Sequence, residues 1–505
     1  MIMELLFGLL VAVNAVEAIL WVSPVCRLRK PFAALLIAVE AIVYGFLIGF
    51  IPSVTVGIFV YFGLYKIFNI LRILESKLNQ AYIYRSTKKS AYSLGLIQLF
   101  VLLVAYASNR LSLTNGNWLT LIALVEIIGA LVVLGSTIRH INKSSQIMSL
   151  SNILDKDMPT VTVAIPARNE TEDLQACLES LIRCKYPKLE IIVLDDCSQV
   201  RRTPDIIRAY ANNGVKFISG EVPPEKWLAK NYAYAQLAAV ASGEIVLFCG
   251  VDTRFEEESI RNLVKIMLER GKDMLSVIPT NSLPKVSKLE SMILQSSRYA
   301  WELALPRKLI NRPAVLSTCW LIKTKQLKQS GSFEAYANSI SPESYFARNS
   351  IKRSDGYSFI ISPLIGGVSC DKGVDDQRDT AVRTRYPQLH RRMEVASLLA
   401  VAELGFLVLP LILSVLMLTE GSYYFSLTLM VVFVLQTIAY SKVLNLTYRK
   451  SITFGLIALP FAALYDVIIL MISMYKYEFG SVVWKERNVC VPVMNFKHQD
   501  ISKII

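Results

Sequence analysis

Histidine is scarce in this 505-residue chain, with three in all, and the eight cysteines form no CxxC pair and no metal-ligand spacing with them. That excludes the zinc and dithiol readings such spacings would carry. Cys177, Cys197 and Cys249 instead read as small buried residues of a reducing compartment. No internal repeat or low-complexity stretch stands out. The first apolar run, residues 2–22, has neither a basic leader nor a small-residue cleavage site, so no cleavable signal peptide is expected. Nor do the basic residues alternate with aromatics. They flank apolar runs, so the net charge of +14 is assigned to a surface beside anionic lipid and not to nucleic acid.

What the chain has in excess is apolar residue: 53% of the composition, with a mean hydropathy of +0.43. Several runs reach the roughly 20 residues needed to cross a bilayer core. Residues 2–22, 32–51, 54–71, 94–107 and 118–136 are five candidate spans, the fourth of them short. Their connectors carry Arg27, Arg29 and Lys30, then Lys77, Arg85, Lys88 and Lys89, then Arg139 and Lys143. Basic connectors lie preferentially inside, which places the N-terminus outside and the middle of the chain in the cytoplasm. Residues 395–418, 423–440 and 452–474 are three further candidates. That odd total would leave outside a tail that holds Lys476, Lys485, Arg487, Lys497 and Lys503. Either one segment is therefore interfacial or re-entrant, with the one containing Pro460 the candidate, or the fourth span is misread. Scattered charges at Glu17, Glu40, Lys66, Glu126, Glu403 and Asp466 give a transporter little support; facing another helix or an interface is the default for them.

Between residues 158 and 393 the composition becomes that of a soluble α/β domain. VTVAIPA, EIIVLDD, KFISG, EIVLFCGVD and MLSVIPT read as strands. Residues 172–183, 204–212, 231–241 and 256–270 read as the helices between and after them. The alternation argues for a doubly wound parallel sheet. Ligands of such sheets bind beyond the C-terminal strand ends, so Asn169, Glu170, Asp195, Asp196 and Asp252 are expected to converge on one crevice. Carboxylates gathered there suit a divalent metal and a phosphorylated ligand. Residues 289–393 resist parsing.

Taken singly, each motif has a plainer reading. Pro166, Arg168, Asn169 and Glu170 of PARNE offer hydrogen-bond partners to a ribose and base, or form a turn whose Asn or Glu caps a helix. Asp195 and Asp196 repel each other unless a cation, a donor or water separates them, and one can face the crevice while the other caps the next helix. Asp252 either binds a metal bridging a diphosphate or is a turn residue. Lys230, at a helix start, meets phosphate or solvent, and Trp227 is core or a sugar platform.

In combination, strand–PARNE, strand–DD, KWLAK and strand–GVDT resemble family 2 glycosyltransferases, closest to the membrane-bound hopene-associated and carotenoid-type branch. The resemblance covers about residues 159–389, most strongly the first hundred. It implies an α/β GT-A fold (Rossmann-like, the nucleotide-diphospho-sugar transferase type) in a cytoplasmic domain, residues 158–393, inserted between two α-helical transmembrane bundles, residues 1–140 and 394–475, with a basic tail at 476–505. It implies an inverting hexosyltransferase using a UDP- or GDP-sugar, Mg²⁺ or Mn²⁺, and a membrane lipid acceptor. Glu170 and Asp195 would hold the nucleoside. Asp252 would be the metal aspartate of a D-x-D motif whose first position is Gly250 here. Aligning FAR of SPESYFAR puts Glu343 at the catalytic base, while a shifted alignment puts Ser344 there. Arg383 and Arg385 face either the donor diphosphate or the lipid surface, and Trp484, Lys485 and Arg487 resemble an interfacial element after the last span. A processive polysaccharide synthase is the first rival, weakened by the missing Q-x-x-R-W. A non-catalytic membrane protein that binds a nucleotide or partner is the second, supported by Gly250.

Overall fold

The computed structural model describes residues 6, 8–10, 12–14, 38–40, 42–44, 96–101, 115–145, 153–224, 227–281, 289–305, 313–354, 356–365, 367–389, 391–479, 482–485 and 487–490. The first four candidate spans thus lie largely outside the described residues. The chain divides into two units, Val125–Thr380 with Phe406–Asp466, and Met1–Leu124 with Ala381–Gly405 and Val467–Ile505.

The first unit is built on a seven-stranded sheet. Its strands are β1 (Val161–Ala167), β2 (Leu189–Asp195), β3 (Val215–Ser219), β4 (Ile245–Cys249), β6 (Met274–Ile278), β7 (Cys319–Lys323) and β8 (Tyr357–Ile361), in the order β3-β2-β1-β4-β7-β6-β8. β1 to β4 are parallel neighbours, joined through α2 (Glu172–Ile182), α3 (Arg202–Ala209) and α4 (Ala229–Val240). The expected helix boundaries hold to within about three residues. β7 runs antiparallel to both β4 and β6. A small sheet of β5 (Thr253–Phe255) and β9 (Val368–Cys370) stands beside it.

Strand side chains alternate between the two faces, so neighbouring residues enter different cores. Val161, Val163, Ile165, Val193 and Leu247 pack with α2 and with α5 (Ser259–Glu269) through Leu174, Leu178, Leu263 and Met267. Ala164, Leu194, Val246 and Phe248 pack on the other face with α4 through Ala233, Tyr234 and Leu237. The antiparallel β7 brings an aromatic cluster to that second face. Trp320 stacks on Phe248 at 4.4 Å, and Phe333 and Phe346 close around it. Such offset and edge contacts add roughly 0.5–1.5 kcal/mol per pair beyond burial. Cys177 and Cys249 are buried and free, as expected; Cys197 is only half-buried, in a left-handed turn with φ 52°.

The stretch that resisted parsing holds α6 (Leu289–Ala304), β7, α7 (Thr324–Gln329), α8 (Pro342–Ser354), β8, α9 (Ser362–Ile365), β9 and α10 (Val374–Gln388).

Among the described residues, three helices are long and apolar enough to cross a membrane: Leu119–Ser145, Tyr423–Tyr448 and Ile452–Tyr477. They belong to α1 (Asn115–Ser145), α13 (Tyr423–Tyr448) and α14 (Ile452–Phe479). Pro460 does not break its segment, since α14 runs through it. The broken segment lies earlier. α11 (Met393–Leu407) and α12 (Leu409–Thr419) meet at a 46° bend, with Pro410 in the first turn of α12. A proline tolerated at a helix start has no N–H to offer the preceding turn, so the helix restarts there. Glu40, Glu126, Glu403 and Asp466 are all buried by protein, the default expected of intramembrane charges.

In the second unit, Tyr386, Ala396, Ala400, Leu470, Tyr477 and Val482 form the core among the described residues. The guanidinium of Arg383 lies 4.9 Å over the ring of Trp484, in a hairpin of β10 (Val482–Trp484) and β11 (Arg487–Cys490).

Candidate active site

Asp195 ends β2, while Glu170 and Asp252 follow the C-terminal ends of β1 and β4, and the side chains of Arg168 and Asn169 are tied to the protein itself. Pro166 belongs to β1, in register with Leu194. Arg168 is buried and donates from Nη1 to the carbonyls of Asp196 and Cys197, at 2.7 and 2.6 Å. Asn169 adopts φ 51°, the left-handed region where asparagine is tolerated. Its Oδ1 accepts from the amides of Gln199 and Val200, at 2.8 and 3.3 Å, and its own N–H donates to Ser198 Oγ. Glu170 accepts the Thr203 hydroxyl on its carbonyl. These bonds brace the loop after β2 against the loop after β1.

Asp195 is half-buried and its Oδ1 accepts from Ser198 N at 3.3 Å. Asp196 is buried, and its N–H donates to Ala167 O at 2.8 Å. Neither caps the following helix, whose preceding residue is Arg201 with no side-chain cap. Gly220 is required here. A Cβ on it would lie 2.7 Å from Asp195 O, so only glycine lets β3 leave the sheet this close to the acidic pair.

Asp252 follows β4. A Cβ at Gly250 would collide with Asp252 Oδ1, so the carboxylate occupies the space that a side chain at the first position of a D-x-D would need. Its ionic partner is Lys372, with Nζ 3.8 Å from Oδ2. Beside them Arg254 pairs with Asp173 at 3.1 Å and with Asp371 at 3.8 Å. Among the described residues no group of three His, Cys, Asp or Glu side chains could hold a metal. Asp252 thus fits an ion that takes its other ligands from phosphates and water, as Mg²⁺ does with nucleotides, and not one caged by protein alone.

Glu343 lies in the first turn of α8, which opens with Pro342, and it is buried to 4% exposure. Burial pushes its carboxyl above the ordinary carboxylate range, against the opposing pull of Lys230, of its own backbone N–H, of Arg298 and of Ser341. Lys230, in the first turn of α4, lies 5.3 Å over the Tyr234 ring. Burial raises the Tyr234 phenol, and the Glu343 and Asp252 carboxylates push it in the same direction. Lys230 thus lies by Tyr234, and its charge acts on the buried Glu343.

Asn231 fixes this arrangement, and sequence reasoning missed it. Its buried Nδ2 lies 3.1, 3.0 and 2.7 Å from the carbonyls of Tyr336, Ala337 and Ser339, and Leu228 N donates to Ala337 O. This holds the loop that leads into Glu343. Asn231→Leu is expected to lose about 1–3 kcal/mol of stability, because those carbonyls lose their donor, and to lower kcat with little change in donor affinity. Thermal unfolding and steady-state kinetics check both. The sequence signal was weak: an asparagine inside an alanine-rich helix, where it is a poor helix former. Arg383 and Arg385 lie in the second unit, with Arg383 engaged on Trp484.

The likeness to known proteins covers part of the chain. The glycosyl transferase family 2 model matches residues 162–331, a stretch that runs from β1 through β7 of the mostly parallel sheet. The probable glycosyltransferase YdaM of Bacillus subtilis is 31% identical over 113 residues, 22% of this chain and 26% of that protein. The chain thus matches about a quarter of that relative's length. Among solved structures, the mannosyltransferase PcManGT from Pyrobaculum calidifontis, in complex with GDP-Man and Mn²⁺, is similar at a TM-score of 0.38 and 14% identity, over 70% of this chain and 98% of its own. S. aureus TarS 1–349 in complex with UDP-GlcNAc is similar at 0.31 and 16%, over 65% and 95%.

Proposed function

We propose that the protein is an integral-membrane, inverting glycosyltransferase that moves a hexose from a UDP- or GDP-sugar to a membrane lipid at the cytoplasmic face. The observation that carries this reading is a carboxylate, Asp252, just beyond the C-terminal end of β4, together with a second, buried carboxylate, Glu343, in the first turn of α8. The nucleotide sugar lies across the ends of β1, β2 and β4, with Asp195 and Glu170 on the nucleoside. Arg168, Asn169 and Asp196 shape the loops beneath it, and Pro166 sets the strand end. Mg²⁺ or Mn²⁺, held by Asp252 and the diphosphate, would neutralise charge on the leaving group. Glu343 takes the proton from the acceptor hydroxyl as its oxygen attacks the anomeric carbon. The bond to the diphosphate breaks, and the diphosphate leaves with the electron pair. One displacement inverts the anomeric centre. Lys230 keeps positive charge beside Glu343, which favours the ionised base.

A lipid acceptor is supported by the spans and by a small apolar cleft lined by Thr137, Ala300, Trp301, Ala439, Tyr440 and Ala463. Ala300 and Trp301 lie on α6, the same helix that carries Arg298, whose charge reaches Glu343. Arg385, with the Arg383–Trp484 pair, suits anionic headgroups.

The test is a donor screen with native lipid extract and mass spectrometry of the products. The expected result is a lipid one sugar heavier, formed from a single class of donor. A polymeric product would replace this reading with a processive synthase. No turnover with any donor, despite measurable nucleotide binding, would overturn it.

A further inference from the structure

The carboxylate at the position of the metal aspartate is engaged by a lysine, and that lysine is held in place. Lys372 and Asp252 are each 21% exposed. The backbone brings them together: Asp371 N donates to Asp252 O at 2.8 Å, and β9, which ends at Cys370, pairs with β5, which begins at Thr253. Lys372 Nζ also donates to Thr380 Oγ1 at 2.7 Å, and Gln377 Nε2 donates to Lys372 O at 2.8 Å. A surface lysine with no task would not be gripped from both ends. An ammonium has three donors. Thr380 takes one and Asp252 takes at most one, so a donor remains at the strand end where a diphosphate would lie.

Charge balance points the same way. Two aspartates with a divalent ion are neutral, and so is one aspartate with one lysine. The chain lacks the first aspartate, because Gly250 stands there. The neighbouring cation cannot substitute for Lys372, since Arg254 is already committed to Asp173 and Asp371. We infer that Lys372 binds the donor diphosphate directly, so that this site holds a nucleoside diphosphate even without a divalent metal. The inference rests on the nucleotide-sugar reading above.

The experiment is calorimetric titration of UDP and GDP into the full-length protein in lipid nanodiscs, with Mn²⁺ and separately with EDTA. Wild type, Lys372→Met and Lys372→Arg are compared, and thermal midpoints monitor folding. Wild type is expected to bind one of the two nucleotides in EDTA. Lys372→Met should weaken that metal-free binding by roughly ten- to a hundredfold, while Lys372→Arg keeps most of it. Two results would overturn the inference: wild type that binds with Mn²⁺ but not in EDTA, or Lys372→Met equal to wild type in EDTA. An affinity in Mn²⁺ that rises in Lys372→Met would mark the lysine as a competitor of the ion and also overturn it. Absence of binding in both conditions would remove the nucleotide-sugar reading together with this one.

Discussion

Glu343→Gln is expected to lower kcat by about 10²–10⁴-fold, the usual contribution of a positioned general base, while donor affinity stays near that of wild type. Glutamine keeps the shape of the side chain and loses only the ability to accept the proton. The pH profile gives a second handle. Because burial raises the Glu343 carboxyl, the acid limb of kcat/KM should fall above the ordinary glutamate value of about 4.3. Stability should move the opposite way to activity. With the folded pKa above the unfolded one, the folded state binds more protons in the window between them, so stability falls as pH rises through that window. The substitution removes that penalty. Glu343→Gln should therefore be at least as stable as wild type at neutral pH and nearly inactive. Thermal midpoints across pH 4–8, measured beside the kinetics, check it. A variant that is both unstable and inactive would point instead to a structural glutamate. An unchanged kcat would mean an acceptor, such as a lipid phosphate, that needs no base.

Asp252→Asn should cost roughly 10²–10³-fold in kcat/KM, the scale of losing one electrostatic stabiliser of developing charge. The loss should not be one of folding. The Asp252–Lys372 pair is 3.8 Å long and partly exposed, so its net worth is about 1 kcal/mol or less. The metal dependence should also change, with Mn²⁺ activation weakened more than basal turnover. Titration of Mn²⁺ against rate in both proteins measures this. Full activity in Asp252→Asn would remove the residue from the site.

β1 to β4 and β6 were legible in the sequence because each is an apolar run that ends in a polar turn, and the helices between them have their own apolar faces, whereas the short β5 was not read as a strand. The strand-end acids were legible for the same reason. Glu343 came only from the resemblance of SPESYFAR to a family pattern, since nothing local marks a buried carboxylate. Lys372 left no signal in the sequence and Asn231 only a weak one. Their importance lies in partners 120 and about 105 residues distant, Asp252 and the Tyr336–Ser339 carbonyls. Arg168 misled in the opposite direction: its place in PARNE suggested a ligand contact, whereas its guanidinium is turned inward onto two carbonyls. The bend near Pro410 was hidden because an apolar run continues through it, while Pro460, more conspicuous in sequence, is absorbed within a long helix.

The antiparallel β7 has a consequence for how this domain must be made. β1 to β4 have their parallel partners once residue 249 is made, although β4 already reaches back to β1, whereas β4 waits for β7 on its other side and β6 for both β7 and β8. Pairings so distant are slow to form, because loop closure must precede the contacts that reward it. During synthesis the first four strands can assemble while the other edge of the sheet is still missing. A chain stopped at residue 331, where the family match ends, would have β6 without β8 and would lack both Glu343 and Lys372. The half of the domain most easily matched to other proteins is thus the half that can assemble early, and the residues proposed to do the chemistry are among the last to arrive.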